Sequence, residues 1–244
     1  MDRRFTTKEL TQVHKDWIGY FPEYKSWMKK GKTLKGSYKK RVGPLLIHIW
    51  LDTTRKDDYR PHFSVHHLLQ SAGRPRPDLN TELKKRWRIT PKQHEEGIYL
   101  EAIEELKKTA PMPVEGPLRL SDILEAYRKN EAIYHLSEIE GPALIAGWCG
   151  KVNLANELIN EFYKSYKDRY QRLQRLERTE GKLTPEEWKE DMRRRVADKD
   201  GLDRMLEEEI KKHNIDQFPS YELIVDEENC SGSFLGRLSR ILGK

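Results

Sequence analysis

The chain has 244 residues, with 46 Lys and Arg against 40 Asp and Glu and a net charge of +6, and its mean hydropathy is -0.89. That length suits one large domain or two small ones, and six Trp with eleven Tyr exclude a wholly disordered chain. Two cysteines, Cys149 and Cys230, make neither a disulfide framework nor a paired metal motif, and no apolar run approaches the roughly 18 residues of a membrane span. The opening MDRRFTTKEL has no apolar core of the signal-peptide kind, so the cytoplasm is the expected setting.

In chain order, Thr6 and Glu9 come first, with capping-box spacing. Leu10, Val13, Trp17 and Phe21 recur on one face, which predicts a helix from Thr7 to about Ile18, before Pro22. Between Lys25 and Arg41 eight of seventeen residues are basic, with Trp27, Leu34 and Tyr38 interleaved. Gly31 and Gly36 bracket a stretch read as an edge strand. After Gly43-Pro44 come two runs, Leu45–Asp52 (LLIHIWLD) and His62–Leu69 (HFSVHHLL), rich in β-branched and aromatic residues and alternating with period two. They predict an antiparallel hairpin that turns Leu45, Ile47, Ile49 and Leu51 toward the core beside Phe63, Val65 and Leu69.

Beyond the loop SAGRPRPDLN, helices dominate. Thr90-Pro91 with Gln93 starts a helix over about Pro91–Thr109, and Ser121 or Asp122 caps one that runs to about Asn130. Pro142–Cys149 reads as a buried helical turn or two, stopped by Gly150. Leu154, Leu158, Phe162, Tyr166, Tyr170 and Leu173 form the stripe of a long helix over about Val152–Arg178. Thr184-Pro185 with Glu187 opens the next, and Asp203–Lys212 makes another. The fold class expected is α+β, with a small antiparallel sheet in the N-terminal part followed by a mostly helical C-terminal part. The stretch PMPVEGP marks a joint between residues 1–110 and 118–225, which are expected to share one core. Residues 226–244 read as a linker and an amphipathic tail.

The second face of the strand pair is the sharpest place to look for chemistry. It carries His48, Trp50 and Asp52 on one strand and His62, Ser64 and His66 on the other, and imidazole both binds zinc and carries protons near neutral pH. His62 and His66 stand four residues apart, about 13 Å on a strand rising roughly 3.3 Å per residue, which counts against a shared metal. No metal or cofactor is expected. A phosphoesterase with two His-x-Ser/Thr strands would find one half in His62-Phe-Ser64-Val. Its second half would be His135-Leu-Ser137-Glu, with an acidic fourth position and helical surroundings. His48, His62, Ser64 and His66 are therefore the catalytic candidates, set against a plainer reading as packing and surface groups.

The basic run supplies a second candidate. Lys29, Lys30, Lys32, Lys35, Lys39, Lys40 and Arg41, with Lys84, Lys85, Arg86 and Arg88 further on, could meet phosphates while Trp27, Tyr38 and Trp87 stack bases. The tail gathers Phe234, Leu235, Leu238, Ile241 and Leu242 on one side, a pattern suited to packing on its own domain or in a partner groove. The phosphate loop, the dinucleotide glycine fingerprint, the serine elbow and the His-Glu-x-x-His motif are all missing, which removes the commonest ATPase, dehydrogenase, hydrolase and metalloprotease classes. The expected function is a non-enzymatic intracellular interaction protein with a protein partner; a bacterial defence or immunity accessory would suit it, although no residue selects that role. The alternatives are a phosphoesterase or nucleic-acid-processing enzyme on the histidine face and a nucleic-acid-binding protein using the basic run 25–41.

Overall fold

A computed structural model of the chain describes residues 3–27, 36–53, 57–70, 77–81, 87–130 and 135–226. It shows the expected α+β fold, with an antiparallel sheet of five strands in the N-terminal half and mostly helices afterwards. Helix α1 (Thr7–Gly19) begins at the expected capping box, in which the Thr6 side chain accepts from the Glu9 amide and the Glu9 carboxylate accepts from the Thr6 amide. It buries Val13, His14 and Trp17.

The sheet runs β1 (Lys25–Ser26), β2 (Ser37–Val42), β3 (Leu45–Asp52), β4 (Arg60–His67) and β5 (Leu79–Thr81), each antiparallel to the next. The edge strand expected between Gly31 and Gly36 falls on residues 31–35, which lie outside the described residues. The described strand of the basic run, β2, is an inner one, since β3 pairs along one of its edges and β1 and β7 along the other. One correction to the expected hairpin follows. Strand β4 starts two residues earlier than the hairpin predicted and stops at His67. Leu68 then bends away, its amide donating to the Pro44 carbonyl, yet Leu68 and Leu69 stay buried. An apolar run records burial, which here outlasts the ladder of hydrogen bonds.

The single helix expected over Pro91–Thr109 is two, α2 (Pro91–Glu95) and α3 (Ile98–Thr109). Gly97 stands between them at φ +82°, a left-handed conformation open to glycine and costly for residues with a Cβ. After β6 (Leu118–Arg119) comes α4 (Leu120–Lys129), whose cap is Arg119 rather than Ser121 or Asp122; the Asp122 carboxylate accepts from the Arg119 amide. Helix α5 (Leu136–Trp148) begins well before Pro142, which sits inside it, and every residue from Ser137 to Gly147 is buried. A helix buried on all sides is a central one. Helices α6 (Val152–Arg175) and α7 (Pro185–Ala197) pack on it, and α8 (Lys199–Lys212) follows, starting four residues before the expected Asp203. Glu140 of α5 fixes α7 by accepting from Trp188 Nε1 at 2.9 Å and from Arg195 at 3.2 Å.

Past α8 the chain returns to the sheet, through a turn of 3-10 helix at Ile215–Gln217. Strand β7 (Ser220–Tyr221) pairs in parallel with Arg41 and Val42 of β2, and β8 (Leu223–Ile224) pairs with β6. The free edge of β2 is thus shared, its first half by β1 and its second by β7. One hydrophobic core runs from Val13 and Ile47 through Ile123 and Leu144 to Val196 and Leu223. Among the described residues no helix is long and apolar enough to cross a membrane.

Candidate functional site

Strand register decides which side chains share a surface. Ile47 opposes Val65, Ile49 opposes Phe63 and Tyr38 opposes Ile49, so these form the inner face, and all five are fully buried. On the outer face Trp50 opposes His62 and His48 opposes Ser64, while Leu46 opposes His66. The grouping of His48, Trp50 and Asp52 with His62, Ser64 and His66 expected from period-two alternation is therefore the observed one. Register adds something the alternation could not show. Ser37, Lys39 and Arg41 of β2 oppose Trp50, His48 and Leu46, which puts two cations of the basic run on the same outer face as the histidines.

The rings on that face form a ladder. Trp50 and His62 stack with centroids 4.7 Å apart and planes 9° apart; His48 stacks on the other partner contact of Trp50 at 5.0 Å, and His66 tilts toward His48 at 6.4 Å. Two hydroxyls tie the ladder to the sheet, with Ser37 Oγ 2.7 Å from His48 Nε2 and Ser64 Oγ 3.1 Å from His66 Nε2. Burial holds the His48 imidazole well below its ordinary pKa, helped by the charges of Lys39 and His66. Burial also lowers His62, against the pull of Asp52 and with the push of Arg60. Among the described residues no three His, Cys, Asp or Glu side chains gather as a metal site would need. A groove of about 440 Å³ between α3 and α4, near Met112 and Lys129, is lined by none of these histidines.

The basic run divides by alternation. Lys40 turns inward, 1% exposed, and its ammonium donates to Glu23 Oε2 at 2.6 Å. The other oxygen of Glu23 accepts from the Gly116 amide, and the Glu23 carbonyl accepts from Tyr221 Oη, so one residue ties β2, the joint and β7 together. Lys39 and Arg41 turn outward. Lys39 Nζ lies 4.7 Å above the Trp27 ring and 5.5 Å from that of Phe218; Arg41 donates to the Gly43 carbonyl at 3.0 Å. Lys29, Lys30, Lys32 and Lys35 lie outside the described residues, as do Lys84, Lys85, Arg86 and the amphipathic tail. Of the rings expected to stack bases, Tyr38 and Trp87 point into the protein and only Trp27 is exposed. His135 and Ser137 sit at the start of α5 rather than on a strand, so the second His-x-Ser half is not strand-borne.

Two inner polar clusters were missed by sequence reasoning. In the first, Trp17 Nε1 donates to Tyr59 Oη at 3.1 Å, Tyr59 Oη lies 2.8 Å from His94 Nδ1, and His94 Nε2 donates to Asp16 at 2.9 Å. Beside it His14 Nδ1 meets Tyr38 Oη at 2.8 Å. The Tyr59 hydroxyl resembles an activated nucleophile in its contacts, but the residue is fully buried and its pKa is raised by that burial, so the relay clamps α1 and α2 to the sheet. In the second, the Asp78 carboxylate accepts from the His67 amide at 2.6 Å, and His67 and Tyr127 both pack against Gly141 of α5. Burial and the carboxylates of Asp78 and Glu138 keep the Tyr127 phenol protonated. A histidine beside a helix start, such as His94 after Thr90-Pro91, carries no periodic signal of such a role.

Comparison with protein-family models, with curated proteins and with solved structures gives no match.

Proposed function

We propose that this chain is a binding protein rather than an enzyme and that its contact surface is the outer face of the sheet. The observation that carries this reading is how the three histidines are engaged. His48 and His62 stack on Trp50, His66 tilts toward His48, and His48 and His66 meet serine hydroxyls of their own sheet, whereas acid–base catalysis calls for groups converging on one reacting atom. A ladder of this kind gives a firm, amphipathic surface with little side-chain entropy left to lose on binding. The reading includes a cytoplasmic setting. Cys149 is a free thiol that burial pushes up to about 11, which suits a reducing compartment.

Two measurements test it. The immobilised chain should capture a partner from native lysate, and Trp50→Ala, which removes the centre of the ladder, should abolish that capture while the protein still unfolds cooperatively. Separately, 2′,3′-cyclic nucleotides and a phosphodiester reporter should show no turnover. Turnover that disappears in both His62→Ala and Ser64→Ala would overturn the binding reading in favour of a phosphoesterase.

A further inference from the structure

Resting on the binding surface just proposed, we infer that its occupant is a single-stranded nucleic acid, with phosphates on Lys39 and Arg41 and bases against Trp27 and the Trp50 ladder. Lys39 and Arg41 are two residues apart on β2, about 6.6 Å at the strand rise, and both project to the outer face. That step is comparable to the one between successive phosphates of an extended strand. Lys25 of β1 stands directly across from Lys39 and extends the basic edge.

Several cations of the protein are already neutralised: Lys40, Arg119, Arg128, Arg195 and Lys199 each meet a carboxylate within 3.2 Å. Lys39 and Arg41 make no ion pair among the described residues, and burial alone, with no carboxylate offsetting it, lowers the pKa of each. A half-buried cation without a counter-charge is a standing cost that an arriving anion relieves. Burial holds His48 and His62 toward their neutral form, and Lys39, Arg41 and Arg60 stand against Asp52, a positive balance on a surface of rings.

The rings select a single strand. Trp27 is 38% exposed with Lys39 at its face, and Trp50, half-buried, lies on the same face as Lys39. Base–aromatic stacking needs free base faces, which a duplex keeps within its own stack. A duplex would use the cations and leave the ladder idle.

The test is fluorescence anisotropy of the full chain with labelled oligothymidylate and oligouridylate of about 12 nucleotides, a length within the usual site size, and with a duplex of equal length. The single strands should bind at least about tenfold more tightly than the duplex. The double variant Lys39→Gln/Arg41→Gln should bind the single strands at least about tenfold more weakly. It should also reduce the slope of log K against log salt by about 1.4, because each phosphate contact on a single strand contributes about 0.7. Trp50→Ala should weaken binding with the salt slope unchanged, and Lys39→Arg, which keeps the charge, should bind as the parent does. Binding that the double variant retains, or a duplex bound as tightly as the single strands, would overturn the inference. If no oligonucleotide binds while Trp50→Ala still loses its captured partner, the occupant is wrong and the surface stands; if capture is also unaffected by Trp50→Ala, both fall.

Discussion

The two faces of the β3–β4 pair are made from alternate residues of the same two segments, yet they do different work. Inward, Ile47, Ile49, Phe63 and Val65 have no exposure and meet helices. Outward, His48, Trp50 and His62 are half-buried and meet one another. Histidines divide in the same way. His94 and His14, on the inner side, link separate elements through Tyr59 and Tyr38, whereas His48 and His66 bond serines of their own sheet. An inner residue is fixed by what surrounds it, so changing it alters the fold. An outer one is held by neighbours on the same surface, so changing it should cost the fold less.

Neighbouring substitutions break this comparison most sharply. Phe63→Ala empties a fully buried site of the inner face and should cost about 3–5 kcal/mol in urea unfolding. Ser64→Ala, one residue on, removes a hydroxyl bonded to His66 and should cost about 1 kcal/mol. Equal losses would mean that the outer face is as deeply structural as the inner one. The adjacent lysines of β2 give the second contrast. Glu23→Gln leaves the Lys40 ammonium buried without its carboxylate and should cost about 3 kcal/mol. Burial raises the Glu23 carboxyl, but the Lys40 ammonium and the Gly116 amide outweigh it and hold the group below its ordinary value. Lys39→Gln removes a half-buried cation that meets two rings, with no ion pair to a carboxylate among the described residues, and should cost no more than about 1 kcal/mol.

The smallest effect sharpens the comparison through pH. His48 has a folded-state pKa below the ordinary 6.5, because burial, Lys39 and His66 oppose its charge. Protonation therefore favours the unfolded chain. The contribution of this group is complete above about pH 6.5 and is lost as pH falls toward the folded-state value, by at most about 1.4 kcal/mol per pH unit. The urea midpoint should drop between pH 7.5 and 5.5, and His48→Asn should flatten that drop. An unchanged slope in the variant would show that His48 is reached by water.

Much of the sheet was legible because its signals are local. LLIHIWLD alternates with period two and is bounded by Gly43-Pro44, so β3 and the composition of its two faces could be read from eight residues. The end of β4 could not, since Leu68 and Leu69 continue the apolar run after the ladder has stopped. Gly97 was visible inside a helical pattern, but a lone glycine is tolerated in many helices, and only its positive φ shows the break. Pro142 suggested a helix start, whereas in α5 it lies inside a fully buried helix that Glu138 helps to cap through the His135 amide. As for the site, its histidine face was readable, but its union with Lys39 and Arg41 was not. That union depends on the register between β2 and β3, and no strand was expected over Ser37–Val42. Strand β7, two residues long, has no period to read.

The pairing of β7 with β2 has a consequence for how the protein is made. Arg41 donates its amide to the Pro219 carbonyl and Gly43 donates to that of Tyr221, so the second half of this edge is completed only by residues near the end of the described chain. A ribosome adds roughly 5–20 residues per second, so the strand carrying Lys39 and Arg41 waits for many seconds with half its edge unsatisfied while everything between is synthesised. Unpaired edges recruit other strands, and the lysines and arginine along this one are the residues that discourage such pairing. The charge that suits the finished surface to an anion would in this way also protect the nascent chain from its own copies.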